Sequence, residues 1–237
     1  TKILDDEELK AAKEGMSKDL YEQEFECSFQ AAITGSYYGH IIESLAKEGR
    51  VGDVPYDDNL DVETWWDLGL NDSTSIWFAQ RYKGEIRLID YYENSGFGLD
   101  HYIDIIDQKG YDYSKHIAPH DIKVRELGNM GKSRLESALE LGIAFEVAPK
   151  VSIEDGIEAV RKELTNCWFD KNKCKTAIEY LKAYQKRWDD KNQCFRNKPL
   201  HNFASHCADS FRTGIVGQGV EISDWKKEVP INTNYII

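Results

Sequence analysis

The chain is poor in proline, in cysteine and in basic side chains, and each shortage removes a class of protein. Five prolines in 237 residues, with no low-complexity tract and no repeat of fixed period, leave no proline-rich linker or solenoid to consider. The five cysteines (Cys27, Cys167, Cys174, Cys194 and Cys207) are odd in number and scattered. That suits a reducing cytoplasm better than a disulfide framework. A zinc arrangement can be drawn from Cys167-x6-Cys174, Cys194 and His201-x4-His206, but no tight C-x2-C pair supports it. No run of about 18 apolar residues occurs, so no membrane-spanning helix is expected. No secretory leader is visible, and the first residue, Thr1, is not methionine, the expectation for an excised fragment. Lysine and arginine total 30 against 42 aspartates and glutamates, a net charge of −12. Phosphate contacts need basic groups, so general nucleic-acid binding is disfavoured. An enzyme whose acidic centre holds cations stays open, provided basic groups occur locally.

What is present suffices for a core: 41 % hydrophobic residues and six tryptophans, enough for one large domain or two small ones. Residues 5–22 show helical spacing (Leu9, Ala12, Met16, Leu20), and Phe25, Cys27 and Phe29 alternate as in a strand. Helical spacing returns over Tyr37 to Lys47, and Asp53 to Asp61 is a loop around Pro55. The first 60 residues are therefore expected to form an N-terminal helical and linker segment packed on a core of residues 61–237. That core opens with β-forming stretches at Thr64 to Gly69, Ser75 to Tyr82 and Glu85 to Tyr92. Asn71-Asp72-Ser73 and Lys83-Gly84 supply turns, which makes a three-stranded meander. Leu99 to Gly110 reads as a helix and His116 to Ala118 as a strand ended by Pro119. Asp90 and Asp100 read as strand-end and helix-entry residues.

The stretch "ELGNMGKSRLES" (126–137) resembles a phosphate-binding loop only by half. G-x-x-x-x-G-K-[ST] requires glycine at position 126, where Glu126 would repel phosphate, and Gly128 lies two residues too late. A local reading accounts for it. Ser133 with Glu136 three residues later is a capping box, Leu135, Ala138 and Leu139 form a stripe, and Gly142 stops the helix. Ile143, Phe145 and Val147 then alternate as a strand. The remainder reads as helical. Ser152 caps a helix bearing Ile157, Val160 and Leu164, and a second bears Ile178, Leu181, Tyr184 and Trp188. Asp189 to His201 forms a polar hairpin turning near Arg196-Asn197, and a last helix starts near Ser205 with Ala208, Phe211 and Ile215 on one face.

Three antiparallel strands, then strand–helix–strand, then a helix is the element order of the ribonuclease H-like fold: α/β, a mixed five-stranded sheet flanked by helices. In that order the first strand is central and the fourth lies beside it. Asp67 on the first, Asp121 at the end of the fourth and Asp209 on the last helix would be neighbours. Three such carboxylates repel until divalent cations bridge them. Two ions about 4 Å apart can clamp an in-line phosphoryl displacement.

The tracts "WWDLGLNDSTSI" (65–76), "HIAPHD" (116–121), "GKSRLESALELG" (131–142) and "HNFASHCADSFR" (201–212) together resemble the C-terminal nuclease domain of large terminase subunits of tailed phages and prophages. The tracts around Val54-Pro55-Tyr56-Asp57 and Gly156 to Arg161 are similar too, so the resemblance covers roughly residues 20–215. It implies an endonuclease that cuts concatemeric viral double-stranded DNA during packaging by two-metal-ion phosphodiester hydrolysis, with two Mg2+ or Mn2+ ions and little base specificity. The family's metal-binding and catalytic acids map onto Asp67, Asp121 and Asp209. It also implies an upstream ATPase domain with a true P-loop, which these residues do not contain, along with a small terminase subunit and a portal as partners. The setting would be the host cytoplasm, without a membrane.

Other readings of the same residues remain open. Asp67 can cap the turn after its strand, although an acid inside an apolar strand is expensive to bury. Asp72 suits its turn, and Asp121 can be a loop acid. His206, three residues before Asp209 on one side of a helix, can orient a carboxylate, bind metal, touch DNA or be a half-buried neighbour. Lys132 and Arg134 at a helix N-terminus, and Arg196 and Lys198 in the hairpin, are the local basic groups available to DNA or simply a solvated surface. The rival functions are another nuclease of this fold, such as a resolvase or transposase core, and a non-catalytic module docking on portal or small subunit. The half-motif makes its own prediction. Calorimetric titration with Mg-ATP is expected to show no binding; micromolar binding abolished by Lys132→Ala would overturn it.

Overall fold

The computed structural model describes residues 35–69, 73–125, 131–189, 191–192 and 194–218. The expected helix over 5–22, the alternation at Phe25, Cys27 and Phe29, the Asn71-Asp72 turn and Glu126 to Met130 of the glycine-rich stretch lie outside the described residues. In chain order the elements are α1 (Gly39–Lys47), β1 (Val51–Gly52), β2 (Val62–Asp67), β3 (Ser73–Tyr82), β4 (Glu85–Ser95), α2 (Leu99–Lys109) and β5 (Tyr113–Ala118). A 3-10 turn (His120–Lys123) leads to α3 (Arg134–Glu140), β6 (Phe145–Val147), α4 (Ile153–Leu164) and β7 (Cys167–Asp170). Then follow α5 (Lys175–Ala183), β8 (Lys186–Asp189), β9 (Cys194–Pro199) and α6 (Ser205–Gly217).

The main sheet runs β1-β7-β4-β3-β2-β5-β6. Five contiguous strands of it, β4-β3-β2-β5-β6, are the expected ribonuclease H-like set. β2, β3 and β4 form the antiparallel meander, and β5 lies parallel to β2 with β6 parallel to β5. Two further strands widen the sheet from five to seven: β7 pairs parallel with β4, and β1 parallel with β7. Four residues, Cys167-Trp168-Phe169-Asp170, are too short an apolar run to distinguish from a helical stretch by periodicity. Val51–Gly52, N-terminal to residue 61, is thus part of this sheet.

Local chemistry explains several element boundaries. Ser133 Oγ accepts from Glu136 N at 3.2 Å while Glu136 Oε2 accepts from Ser133 N at 2.7 Å, the reciprocal capping box that starts α3. Gly131 and Gly142, which flank that helix, have φ of 78° and 91°, where a side chain would be strained. Ser152 caps α4 through Asp155 N at 3.1 Å.

Four expectations need correction. The last third is not all helix, because β7, β8 and β9 interrupt it. Trp188 lies on β8, since α5 ends at Ala183 and Tyr184 turns to extended backbone (ψ 113°). The hairpin turns between Asp189 and Cys194, not near Arg196-Asn197, because Asp189 Oδ1 accepts from Lys191 N (3.1 Å) and Asn192 N (3.3 Å) in an Asx-type turn. Asp90 sits inside β4, not at its end. There it is buried at a register irregularity and accepts from Lys109 and Tyr111.

Strand alternation separates two cores. Trp65 and Trp77 face α1, α4, α5 and α6, while Trp66, Ile76 and Phe78 face α2 and α3. All three tryptophans are fully buried, each such aromatic contributing about 1.5–3 kcal/mol. Between β2 and β5, Trp66 Nε1 donates to Thr64 Oγ1 (2.7 Å). That hydroxyl also shares a hydrogen bond with His116 Nδ1 (2.6 Å). Burial holds His116 down at about 4, so its ring is neutral and can accept.

Helix α6 approaches the sheet closely enough to touch backbone. A Cβ on Gly214 would lie 1.9 Å from the Trp65 ring, and one on Gly217 would lie 2.4 Å from Ile117 Cγ2. Phe211 packs edge-on to both Trp65 and Trp77, with centroids 5.3 Å apart in each case. Trp77 Nε1 donates to Cys207 O (3.0 Å) and Ser75 Oγ to His206 O (3.1 Å). Gly214→Ala would gain about 1 kcal/mol of helix propensity, but the overpacking costs about 1–3 kcal/mol or more. A net loss of stability is expected in chemical denaturation; a gain would mean that α6 does not rest on Trp65.

Candidate metal centre

Asp67 is the last residue of β2. Alternation puts it on the same face as Trp65 and Glu63, the face covered by α6. Helix α6 runs back along that strand. At its C-terminal end Gln218 Nε2 donates to Glu63 Oε2 (2.6 Å), while near its start His206 Nδ1 lies 2.9 Å from Asp67 Oδ2. Asp209, one turn beyond His206, is thereby carried to the same end. Asp121 arrives from the neighbouring strand, because Pro119 ends β5 in extended backbone and the 3-10 turn follows at once.

Asp67, Asp121 and Asp209 line one cleft of about 290 Å³, together with His120, Ile153 and Arg212 among others. The three acids expected to be neighbours are brought to one place, at the C-terminal ends of two parallel strands. His206 stands against Asp67, within hydrogen-bond distance of its Oδ2.

The electrostatics of the cleft are those of crowded acids offset by bases. Asp209 Oδ1 lies 2.9 Å from Arg212 Nη2, and 32 % of the Asp209 side chain remains exposed. Its carboxyl is pushed up to about 6, first by burial and then by the Asp67 charge, against the opposing pull of Arg212, His206 and His201. Among the described residues no three His, Cys, Asp or Glu side chains are close enough together to hold an ion as placed. Asp67 is turned to His206 and Asp209 to Arg212, so closing the donors on one ion requires side-chain rotation within the cleft. The donor chemistry fits Mg2+ or Mn2+, which prefer carboxylate oxygen. The Cys167, Cys174 and Cys207 thiols of the zinc arrangement are pushed upward by burial, and none of the three lines the cleft.

Sequence reasoning missed Arg212. The available signal was its i,i+3 spacing from Asp209 on a helix. Three of the four basic residues expected near DNA have other engagements. Arg134 Nη1 donates to Leu68 O at 2.6 Å, which fixes α3 against the end of β2. Lys132 pairs with Glu140 at 2.6 Å, and Arg196 with Asp189 at 2.8 Å. Lys198 is exposed on β9.

No family model and no curated protein sequence matches the chain. Solved structures do match. The large terminase of the thermophilic bacteriophage D6E aligns with a TM-score of 0.56 at 16 % identity, over 90 % of this chain and 52 % of the phage protein. The P22 large terminase nuclease domain aligns with a TM-score of 0.56 at 17 % identity, over 73 % of this chain and 89 % of that domain. The fold is that of the large terminase nuclease domains. The nuclease domain from bacteriophage SPP1, solved with bound Mn, aligns with a TM-score of 0.51 at 18 % identity, over 67 % of this chain and 86 % of that one. This chain thus spans about half the length of the D6E large terminase and most of each separate terminase nuclease domain.

The Asp209 carboxyl gives a pH prediction. Its folded pKa, about 6, lies above the ordinary value of 3.8. The stabilisation from proton uptake is therefore complete below about pH 4 and lost as pH rises through 6. Asp209→Asn, which mimics the protonated acid, should be more stable than wild type at pH 8 in chelator. Allowing for solvent screening of a partly exposed group, the gap is on the order of 1–2 kcal/mol, closing as pH falls below 6. Parallel melting curves at pH 5 and 8 check this; a gap independent of pH would refute it.

Proposed function

We propose that the chain is the nuclease domain of a phage or prophage large terminase: a divalent-metal-dependent endonuclease acting on double-stranded DNA. The carrying observation is the convergence of Asp67, Asp121 and Asp209 on one cleft within this fold. When bound, a pair of Mg2+ or Mn2+ ions supplies activation of water and charge stabilisation for an in-line phosphodiester displacement. Asp67, Asp121 and Asp209 would hold the ions. His206 orients Asp67 from one side of the cleft, and its hydrogen bond keeps that carboxylate directed at the helix start.

Acidic proteins repel DNA at long range, so productive binding needs local help. Lys198, Lys132 and the hairpin Arg196 are the proposed contacts, with Arg134 holding the helix on which Lys132 borders. A weak, salt-sensitive grip is consistent with a domain that receives DNA from a larger assembly. In the full-length protein we infer an upstream ATPase domain, a small terminase subunit and a portal as partners, acting in the host cytoplasm on concatemeric viral DNA.

Incubating the chain with supercoiled plasmid is expected to give nicked and linear products with Mn2+ or Mg2+ and none with chelator. Asp67→Asn, Asp121→Asn and Asp209→Asn should each lower the rate by at least about 100-fold, more than typical losses of residues that only support ligands. Absence of both Mn2+ binding and cleavage in the folded wild type would favour a docking module. Preference for branched DNA over plasmid would favour a resolvase-like core.

A further inference from the structure

Gly156 is the fourth residue of α4. Its φ is not positive, and it lies at neither cap, so backbone geometry does not require glycine there. Inside a helix glycine is a poor choice relative to alanine. Space is the remaining reason. A Cβ on Gly156 would lie 2.4 Å from Arg212 Cδ, 3.0 Å from Cγ and 3.4 Å from Nε. The stem of Arg212 fills the position the missing methyl would occupy. Its guanidinium continues to Asp209 Oδ1, at 2.9 Å from Nη2, on the side of the cleft near Tyr184, just beyond α5.

We propose that Arg212 is a positioning residue for Asp209, clamped at its stem by the gap at Gly156 of α4, and that this clamp sets how well the cleft binds its divalent cations. The inference rests on the nuclease reading and deepens it. Aspartate side chains rotate freely unless something holds one oxygen. Asp209 shares its cleft with two like charges, which push it outward. A guanidinium whose stem is seated against Gly156 supplies the opposing force from a fixed direction. Arginine suits the task better than lysine, because its rigid planar fork meets a carboxylate with defined geometry. The arrangement extends the ion site into α4, whose own carboxylates do not line the cleft.

The test measures Mn2+ affinity by electron paramagnetic resonance, with melting in chelator and plasmid cleavage alongside. Gly156→Ala leaves the three cleft aspartates unaltered and favours the helix, yet it pushes Arg212 off its seat. It should remain folded and melt cooperatively in chelator while binding Mn2+ about 10-fold more weakly, in line with losses of groups that orient metal ligands. Cleavage should fall in kcat, with the KM for DNA unchanged. Arg212→Lys should weaken Mn2+ binding similarly. The double variant should be little worse than Arg212→Lys alone, since both changes break one clamp. Wild-type Mn2+ affinity in Gly156→Ala and Arg212→Lys would overturn the inference and leave the nuclease reading intact. Lower melting in chelator with unchanged affinity would show a purely structural role and also overturn it. A wild type that neither binds Mn2+ nor cuts DNA would sink the nuclease reading, and the inference with it.

Discussion

Everything in this molecule that bears on function hangs on the close approach of α6 to the centre of the sheet. Gly214 lets the helix backbone rest on the Trp65 ring, and Gly217 does the same at Ile117. Van der Waals contact of this kind fixes distance but not register along the helix. Register comes from Trp77 and Ser75, which donate to the Cys207 and His206 carbonyls. With both settled, the first turns of α6 can only lie at the C-terminal end of β2. His206 then meets Asp67, and Asp209 enters the cleft. A core packing decision among apolar rings thus places a polar site some turns away along the same helix.

The cleft itself is an electrostatic compromise. Burial raises the proton affinity of Asp209, and the neighbouring Asp67 charge adds to it. The protein limits the cost by giving acids individual basic partners: His206 for Asp67 and Arg212 for Asp209. Glu63, at the other end of β2, solves the same problem with Arg81 at 3.2 Å and Lys115 at 3.4 Å. The difference is informative. Glu63 is fully matched and buried, as a structural acid should be. The cleft acids are more numerous than their bases and reach solvent, as groups awaiting a cation should be.

Much of this was legible in the chain because the relevant signals are local. Period-two alternation around Trp65 and Trp66 marked β2, and the Ser133–Glu136 pair marked the start of α3. Element order then implied which strands would be neighbours, and so which aspartates. The misreadings share a cause as well. β7 has four residues and β1 two, too few for a period to declare itself. Trp188 continued the apolar spacing of α5 for another turn, but pairing with β9 outweighed helical preference there. Asp90 was read as a strand end because nothing nearby in the chain revealed Lys109 and Tyr111 as its partners.

By itself the sequence determined most of the elements, the caps of α3 and α4, the two-faced alternation of the central strands and the three aspartates that meet at one cleft. These follow from backbone and side-chain preferences within a few residues. Only the tertiary structure decided which base faces which acid. Arg134 looked like a ligand for phosphate and is bonded to the Leu68 carbonyl. Arg212 drew no notice and stands beside Asp209. The role of Gly156 was likewise invisible, since the side chain that needs its missing methyl lies 56 positions later. Charges and voids interact through space, and their partners are chosen by how helices cross the sheet, a property that no short stretch of the chain contains.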